Sequence, residues 1–145
     1  MYEKMKETIA SFEEKIKSDK LKRMFDNCFY NALDTTIEYL DDGSVYMLTG
    51  DIPAMWLRDS SASVLQYIEF AKEDEDVFNL IKGLIKRQFF YISIDPYANS
   101  FNRDPNGHGH TQDEGERTPY TWERKFEIDS LCYPIWLIYK LYKVT

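Results

Sequence analysis

Cysteine is nearly missing from this chain: Cys28 and Cys132 are the only two in 145 residues, far apart and in no CxxC pair. Neither a disulfide framework nor a thiolate metal site finds support in that spacing. Both are expected to be reduced, mostly buried thiols of a cytoplasmic protein. Long apolar runs are missing too, none approaching the ~18 residues of a membrane span. The opening MYEKMKETIASFEEKIK alternates charge with single apolar residues and lacks the ~7–15-residue apolar core of a secretory signal. Positive charge is in deficit, with 18 Lys and Arg against 25 Asp and Glu and a net charge of −7. Such a chain repels a phosphate backbone, so nucleic acid is not an expected partner. No P-loop, GxGxxG, nucleophile elbow or HExxH occurs, and no cofactor is expected.

What is present suits a folded domain. Hydrophobic residues make up 43% of the chain and charged residues 30%, within the globular range. Aromatics reach 16%, many of them beside polar residues, which fits a large helical core or an aromatic-lined ligand site. Met5, Ile9, Phe12 and Ile16 keep helical spacing, and Ser18-Asp19 offers a cap for a second pattern through Leu21, Met24, Phe25, Cys28, Ala32 and Leu33. Asp41-Asp42-Gly43 reads as a turn, and SVYML after it as a short β segment. Pro53 bars a continuous helix, while Asp59 or Ser60 can cap one whose apolar face includes Val64, Leu65 and Ile68. A fourth helix runs from about Asp74 through Phe89. Between Asp95 and Tyr120 no period survives, so a long, functional or mobile loop is expected there. A strongly apolar last helix follows, with Pro134 near its first turns.

The densest chemistry lies in GDIPAMWLRDSS. Trp56 offers a flat apolar face, and Arg58 and Asp59 offer directional charged hydrogen bonds, the elements of a polar ligand site. The same residues also suit a purely structural arrangement in which Asp51 and Asp59 are caps and Arg58 is their ion-pair partner. Glu123 and Glu127, four apart with Asp129 nearby, can share a helix face as a carboxylate cluster or form an ordinary solvated turn. His108, His110 and Asp113 on a Gly-rich loop are a weak metal signal, and no bound metal is expected.

TGDIPAMWLRDSSASV, SIDPYANSFN and YTWERKFEIDSLCYPIWL, in that order, resemble the amino-terminal part of glycoside hydrolase family 125, the metal-independent exo-α-1,6-mannosidases. The resemblance runs from about Ser44 to Tyr142. It implies a mainly α fold, part of an (α/α)6 barrel (an α/α toroid), with residues 1–145 as one segment of the catalytic domain. It also implies removal of terminal α-1,6-linked mannose with inversion, on glycans such as those of N-glycan cores, so α-1,6-linked mannosides are the expected partners. A terminal-sugar subsite fits Asp51, Trp56, Arg58 and Asp59, since a pyranose presents an apolar C–H face and vicinal hydroxyls. By the same resemblance Asn99, Asn102, Glu127 and Asp129 are cavity-lining groups. The catalytic acid and base of the family lie beyond Thr145, so no catalytic residue is expected within the chain. Twelve helices of ~11–12 residues with their connections need roughly 200 residues, so the chain reads as a barrel truncated after about its first third. Alone it is expected to be inactive and to self-associate through an exposed barrel wall. The alternative is a stand-alone helical module that binds mannose or a protein without catalysis.

Overall fold

The computed structural model describes residues 1–110 and 115–145. Five α-helices dominate the described residues: α1 (Glu3–Glu13), α2 (Asp19–Thr35), α3 (Leu57–Val64), α4 (Glu75–Ile94) and α5 (Ile128–Val144). A 3-10 segment, Leu65–Lys72, continues α3. Two small antiparallel sheets are threaded between the helices. One is the hairpin of β1 (Ile37–Tyr39) and β2 (Val45–Met47), and the other is β3 (Met55–Trp56), β4 (Ser100–Phe101) and β5 (Thr121–Glu123) in that spatial order.

The cap expected at Ser18 forms, and Asp74, where the fourth helix was expected to begin, caps that helix. The Ser18 hydroxyl accepts from the Leu21 N–H at the start of α2, and Asp74 Oδ1 accepts from Asp76 and Val77 at the start of α4. Asp74 also reaches outward, because its Oδ2 accepts from the Met5 N–H at 3.0 Å while Asp76 Oδ2 accepts from Tyr2 N–H at 2.8 Å. The first turn of α1 is therefore capped by carboxylates of α4. The turn before β2 closes on Asp42, whose Oδ1 accepts from the backbone and hydroxyl of Ser44, with Gly43 left-handed at φ 74°.

The core centres on α4, which buries Val77, Leu80, Ile81, Leu84 and Tyr91 among β2, α3, the 3-10 segment and α5. Gly83 permits the close approach to β2, since a Cβ there would lie 2.7 Å from Val45 Cγ2. Phe101 stacks on Tyr91 with ring centroids 4.6 Å apart, which ties the three-stranded sheet to the same helix.

Four expectations are corrected. The third helix begins at Leu57 with Trp56 in the N-cap position, so neither Asp59 nor Ser60 caps it; Asp59 lies within its first turn. The stretch from Asp95 to Tyr120 carries β4 and leads into β5, adding strands where a single β segment was expected. Pro134 sits well inside α5, where its ring leaves the Ser130 carbonyl without the usual helical donor. Cys28 and Cys132 are both exposed, because α2 buries no residue fully and Cys132 lies on the outer face of α5.

Candidate functional site: a cleft at two helix starts

The stretch after β2 is a hook closed by Thr49. Its backbone N–H donates to the Ala54 carbonyl at 3.1 Å, its hydroxyl donates to the same carbonyl at 3.2 Å, and that hydroxyl accepts from the Trp56 N–H at 2.9 Å. Gly50, left-handed at φ 79°, lets the chain turn inside the hook. Trp56 is thereby held at the end of β3, half-buried rather than sealed in the core. Thr49, Gly50, Asp51, Ile52, Trp56, Arg58 and Asp59 line one open cleft of about 270 Å³.

Arg58 is the hub of its polar wall. One guanidinium nitrogen donates to Asp129 Oδ2 at 3.0 Å and lies 3.5 Å from Glu127 Oε2, while the other lies 3.4 Å from Asp59 Oδ2. Glu127 is the N-cap residue of α5 and Asp129 stands in its first turn, just as Asp59 stands in the first turn of α3. Two helix starts therefore meet at the cleft, where their partial positive charge favours Asp59 and Asp129 and disfavours an isolated arginine. The hydrogen bond to Asp129 and the charges of Asp59 and Glu127 outweigh that and the partial desolvation. They hold the guanidinium pKa above its ordinary value. Arg58 and its partners remain about 40% exposed, with Arg58 itself at 37%, so donors and acceptors are still available to a ligand.

Of the eight candidate residues, Asp51, Trp56, Arg58 and Asp59 line the cleft together, and Glu127 and Asp129 join it through Arg58. Asn99 and Asn102 are placed elsewhere, each only 1% exposed. The Asn99 side chain donates to Glu123 Oε1 at 2.7 Å and accepts from Lys125 N–H, while its carbonyl accepts the Leu57 N–H at 3.1 Å. Asn102 donates to the carbonyls of His108 and Pro119. Both asparagines thus brace the loop behind the cleft rather than line it. Glu123 and Glu127 do not share a helix: Glu123 is on β5, nearly buried, and its carboxylate receives Asn99, Lys125 and, at 3.3 Å, His110 Nε2. Among the described residues no group of three or more His, Cys, Asp or Glu is arranged to hold a metal ion. Asp113 lies outside the described residues.

Two buried polar residues escaped sequence reasoning. Gln88 of α4 contacts Ser60 and Ser61 from behind α3. Arg87, next to it, donates to Tyr91 Oη at 2.8 Å and to the Arg103 carbonyl, with its guanidinium against the rings of Phe90, Tyr91 and Tyr120. The one available signal was the pair of serines at positions where the helical spacing of Leu57 and Val64 calls for apolar residues.

Residues 18–145 match the family of metal-independent α-mannosidases, glycoside hydrolase family 125. The chain belongs to this family. A solved family structure, the Streptococcus pneumoniae protein in a non-productive substrate complex with α-1,6-mannobiose, is 49% identical and superposes with a TM-score of 0.82 over 86% of this chain and 29% of that one. The helical fold described above corresponds to a fragment of that neighbour's α/α toroid. A curated relative, the meiotically up-regulated gene 157 protein of Schizosaccharomyces pombe, is 34% identical over 154 aligned positions that cover 94% of this chain. The chain spans 30% of that relative's length.

Proposed function

We propose that this chain supplies the terminal-mannose subsite of an exo-acting α-1,6-mannosidase that hydrolyses its substrate with inversion. The observation that carries the reading is the convergence of Asp51, Trp56, Arg58 and Asp59 on one cleft. Trp56 covers the C–H face of the sugar, Arg58 donates to vicinal hydroxyl oxygens, and the carboxylates of Asp51 and Asp59 accept from hydroxyl protons. Glu127 and Asp129 keep Arg58 charged and aimed while the cleft is empty or filled. An inverting glycosidase also needs an acid and a base ~6.5–9.5 Å apart about the scissile bond. In this reading residues 1–145 bind and orient the sugar, and the proton transfers belong to residues outside them. Family membership and the mannobiose bound by the S. pneumoniae neighbour support the substrate class.

The test is an NMR titration of the chain with α-1,6-mannobiose, with α-1,6-linked glucobiose as control. The Trp56 indole and Arg58 Nε–H signals are expected to shift with the mannoside and not with the control. Equal response to both sugars, or shifts confined to other surfaces, overturns the assignment. The outer face of α5, with Ile135, Trp136, Ile138, Tyr139 and Tyr142 exposed, is the surface we assign to association.

A further inference from the structure

The buried face of α3 is unusual. Its stripe is Leu57, Ser60, Ser61 and Val64, so half of a helix face sealed in the core is polar, with both serines 0% exposed. Each serine hydroxyl donates back to the Leu57 carbonyl, at 3.2 Å from Ser60 and 2.9 Å from Ser61. Behind them lies Gln88, also 0% exposed, whose amide nitrogen donates to Ser60 Oγ at 2.9 Å and Ser61 Oγ at 2.8 Å and lies 3.4 Å from the Leu57 carbonyl. The amide oxygen of Gln88 is buried with no hydrogen-bond partner among the described residues. A buried orphan oxygen costs about 1–3 kcal/mol. An apolar residue at 88 facing alanines at 60 and 61 would make the more stable core.

We propose that Gln88 is a positioning residue, retained because it fixes the rotation of α3 about its own axis and so aims Arg58 and Asp59 into the cleft. This rests on the mannose-subsite reading above. The helix has only eight residues, no side-chain cap, and passes directly into a 3-10 segment, so little within it resists turning. Its N-terminal N–H, that of Leu57, is held from one side by the Asn99 carbonyl, and Gln88 grips the opposite end of the same turn through two hydroxyls. Arg58 and Asp59 follow Leu57 at successive steps of ~100° around the axis, pointing away from the gripped face. With side chains reaching ~5–6 Å from the axis, a rotation of about 10° displaces their polar atoms by about 1 Å. Errors of that size at a binding constellation cost up to ~10²-fold in function. The apolar contacts of Leu57 and Val64 tolerate the same rotation, because dispersion contacts have no directional requirement, whereas a three-member hydrogen-bond cluster does.

The experiment compares the wild-type chain with Gln88→Met and with the triple variant S60A/S61A/Q88L, by urea unfolding, by α-1,6-mannobiose titration and by the Arg58 Nε–H NMR signal. Gln88→Met removes the orphan oxygen, so its unfolding midpoint is expected to stay within the range of ordinary core swaps while mannobiose binding weakens about tenfold or more and the Arg58 signal moves or broadens. The triple variant is expected to equal or exceed wild-type stability and still bind poorly. Wild-type affinity and an unmoved Arg58 signal in either folded variant overturn the proposal. If the wild type itself fails to bind mannobiose, the subsite reading falls. The Arg58 signal of the variants then decides the positioning role on its own, an unchanged signal refuting it.

Discussion

Arg58 donates to Asp129 at 3.0 Å across 71 residues of sequence, joining the first turn of α3 to the first turn of α5. This bond connects the cleft wall that carries Trp56 with the start of α5, where Glu127 is the N-cap residue. Because every partner of Arg58 is itself about 40% exposed, the ion pairs are worth little to stability, under about 1 kcal/mol each. Their consequence lies in geometry, since a long flexible side chain is held in one place by acceptors on two helices.

Arg58→Ala is therefore expected to separate binding from folding. Loss of hydrogen bonds to a charged donor corresponds to about 1.5–3 kcal/mol, or a ten- to hundredfold weaker mannobiose complex. The unfolding free energy is expected to fall by less than about 1 kcal/mol. Arg58→Lys keeps the charge without the planar fork and is expected to recover only part of the affinity. Calorimetric titration beside urea unfolding checks both, and a variant that binds as well as the wild type removes Arg58 from the subsite.

Asp74 should behave in the opposite way, as a residue of stability alone. One of its oxygens caps α4 and the other accepts from Met5 at the start of α1. A single cap is worth about 1 kcal/mol, so Asp74→Ala is expected to cost about 2 kcal/mol or more, the two caps being lost together. Asp76→Ala, which removes one contact to Tyr2 from a half-exposed carboxylate, is expected to cost less. Equal losses for the two variants would show that Asp74 does not serve both helices.

The legibility of this chain followed the range of the signals. Helical spacing and capping are local, so α1, α2 and α4 were readable to within a few residues, Ser18 and Asp74 included. The polar cluster from Asp51 to Asp59 was readable because its members are neighbours in sequence and share one turn. An asparagine in a loop serves a sugar or a backbone equally well, and only the fold shows that the chain on either side of β4 brings the Asn99 and Asn102 side chains to Glu123, His108 and Pro119. The strands β4 and β5 are two and three residues long, too short for a period-two pattern, and they form only by long-range pairing, β4 with both β3 and β5. Gln88 was invisible for a related reason: its meaning depends on Ser60 and Ser61, 28 and 27 residues earlier.

Gly83 offers a direct test of the packing of α4 on the hairpin. Alanine raises helix propensity by about 1 kcal/mol, but its Cβ would meet Val45 Cγ2 at 2.7 Å and the Gly43 carbonyl at 3.3 Å. Valine at 45 is stiff at χ1 and the carbonyl belongs to a turn, so the clash is relieved only by moving the hairpin. Gly83→Ala is expected to be net destabilising, by about 1–3 kcal/mol before the propensity gain, and Gly83→Ala with Val45→Ala to recover part of the loss. An alanine variant more stable than the wild type would show that the hairpin yields freely.

Stability should decline on the alkaline side. Burial pushes the Tyr67 phenol up to about 12 from an ordinary 10.0, and burial likewise raises Tyr46 and Tyr91. Between pH 10 and 12 the unfolded phenol has released its proton and the folded one still holds it, so the folded state binds more protons and stability falls as pH rises. Below pH 10 the contribution is fully present. Tyr67→Phe is expected to flatten part of this slope in urea midpoints measured from pH 8 to 11.5. A slope unchanged by the substitution would show that the phenol titrates alike in both states.

The last expectation concerns turnover. Asp51 and Asp59 line the cleft and Glu127 and Asp129 reach it through Arg58, but three of these carboxylates are engaged with Arg58, an arrangement suited to holding a donor rather than cycling protons. Acid or base assistance typically contributes ~10²–10⁴-fold, so an inverting site without its acid or base is left near the uncatalysed rate. Residues 1–145 by themselves are therefore expected to bind α-1,6-mannobiose without releasing mannose. The same preparation is expected to associate, because Ile135, Trp136, Ile138, Tyr139 and Tyr142 form an exposed apolar face on α5. A mannose-release assay run beside a measurement of mass in solution tests both at once. Trp136→Glu should lower the mass without altering mannobiose binding, since that side chain lies outside the cleft lining. A monomer that hydrolyses α-1,6-mannobiose would refute both expectations and return the catalytic role to the carboxylates around Arg58.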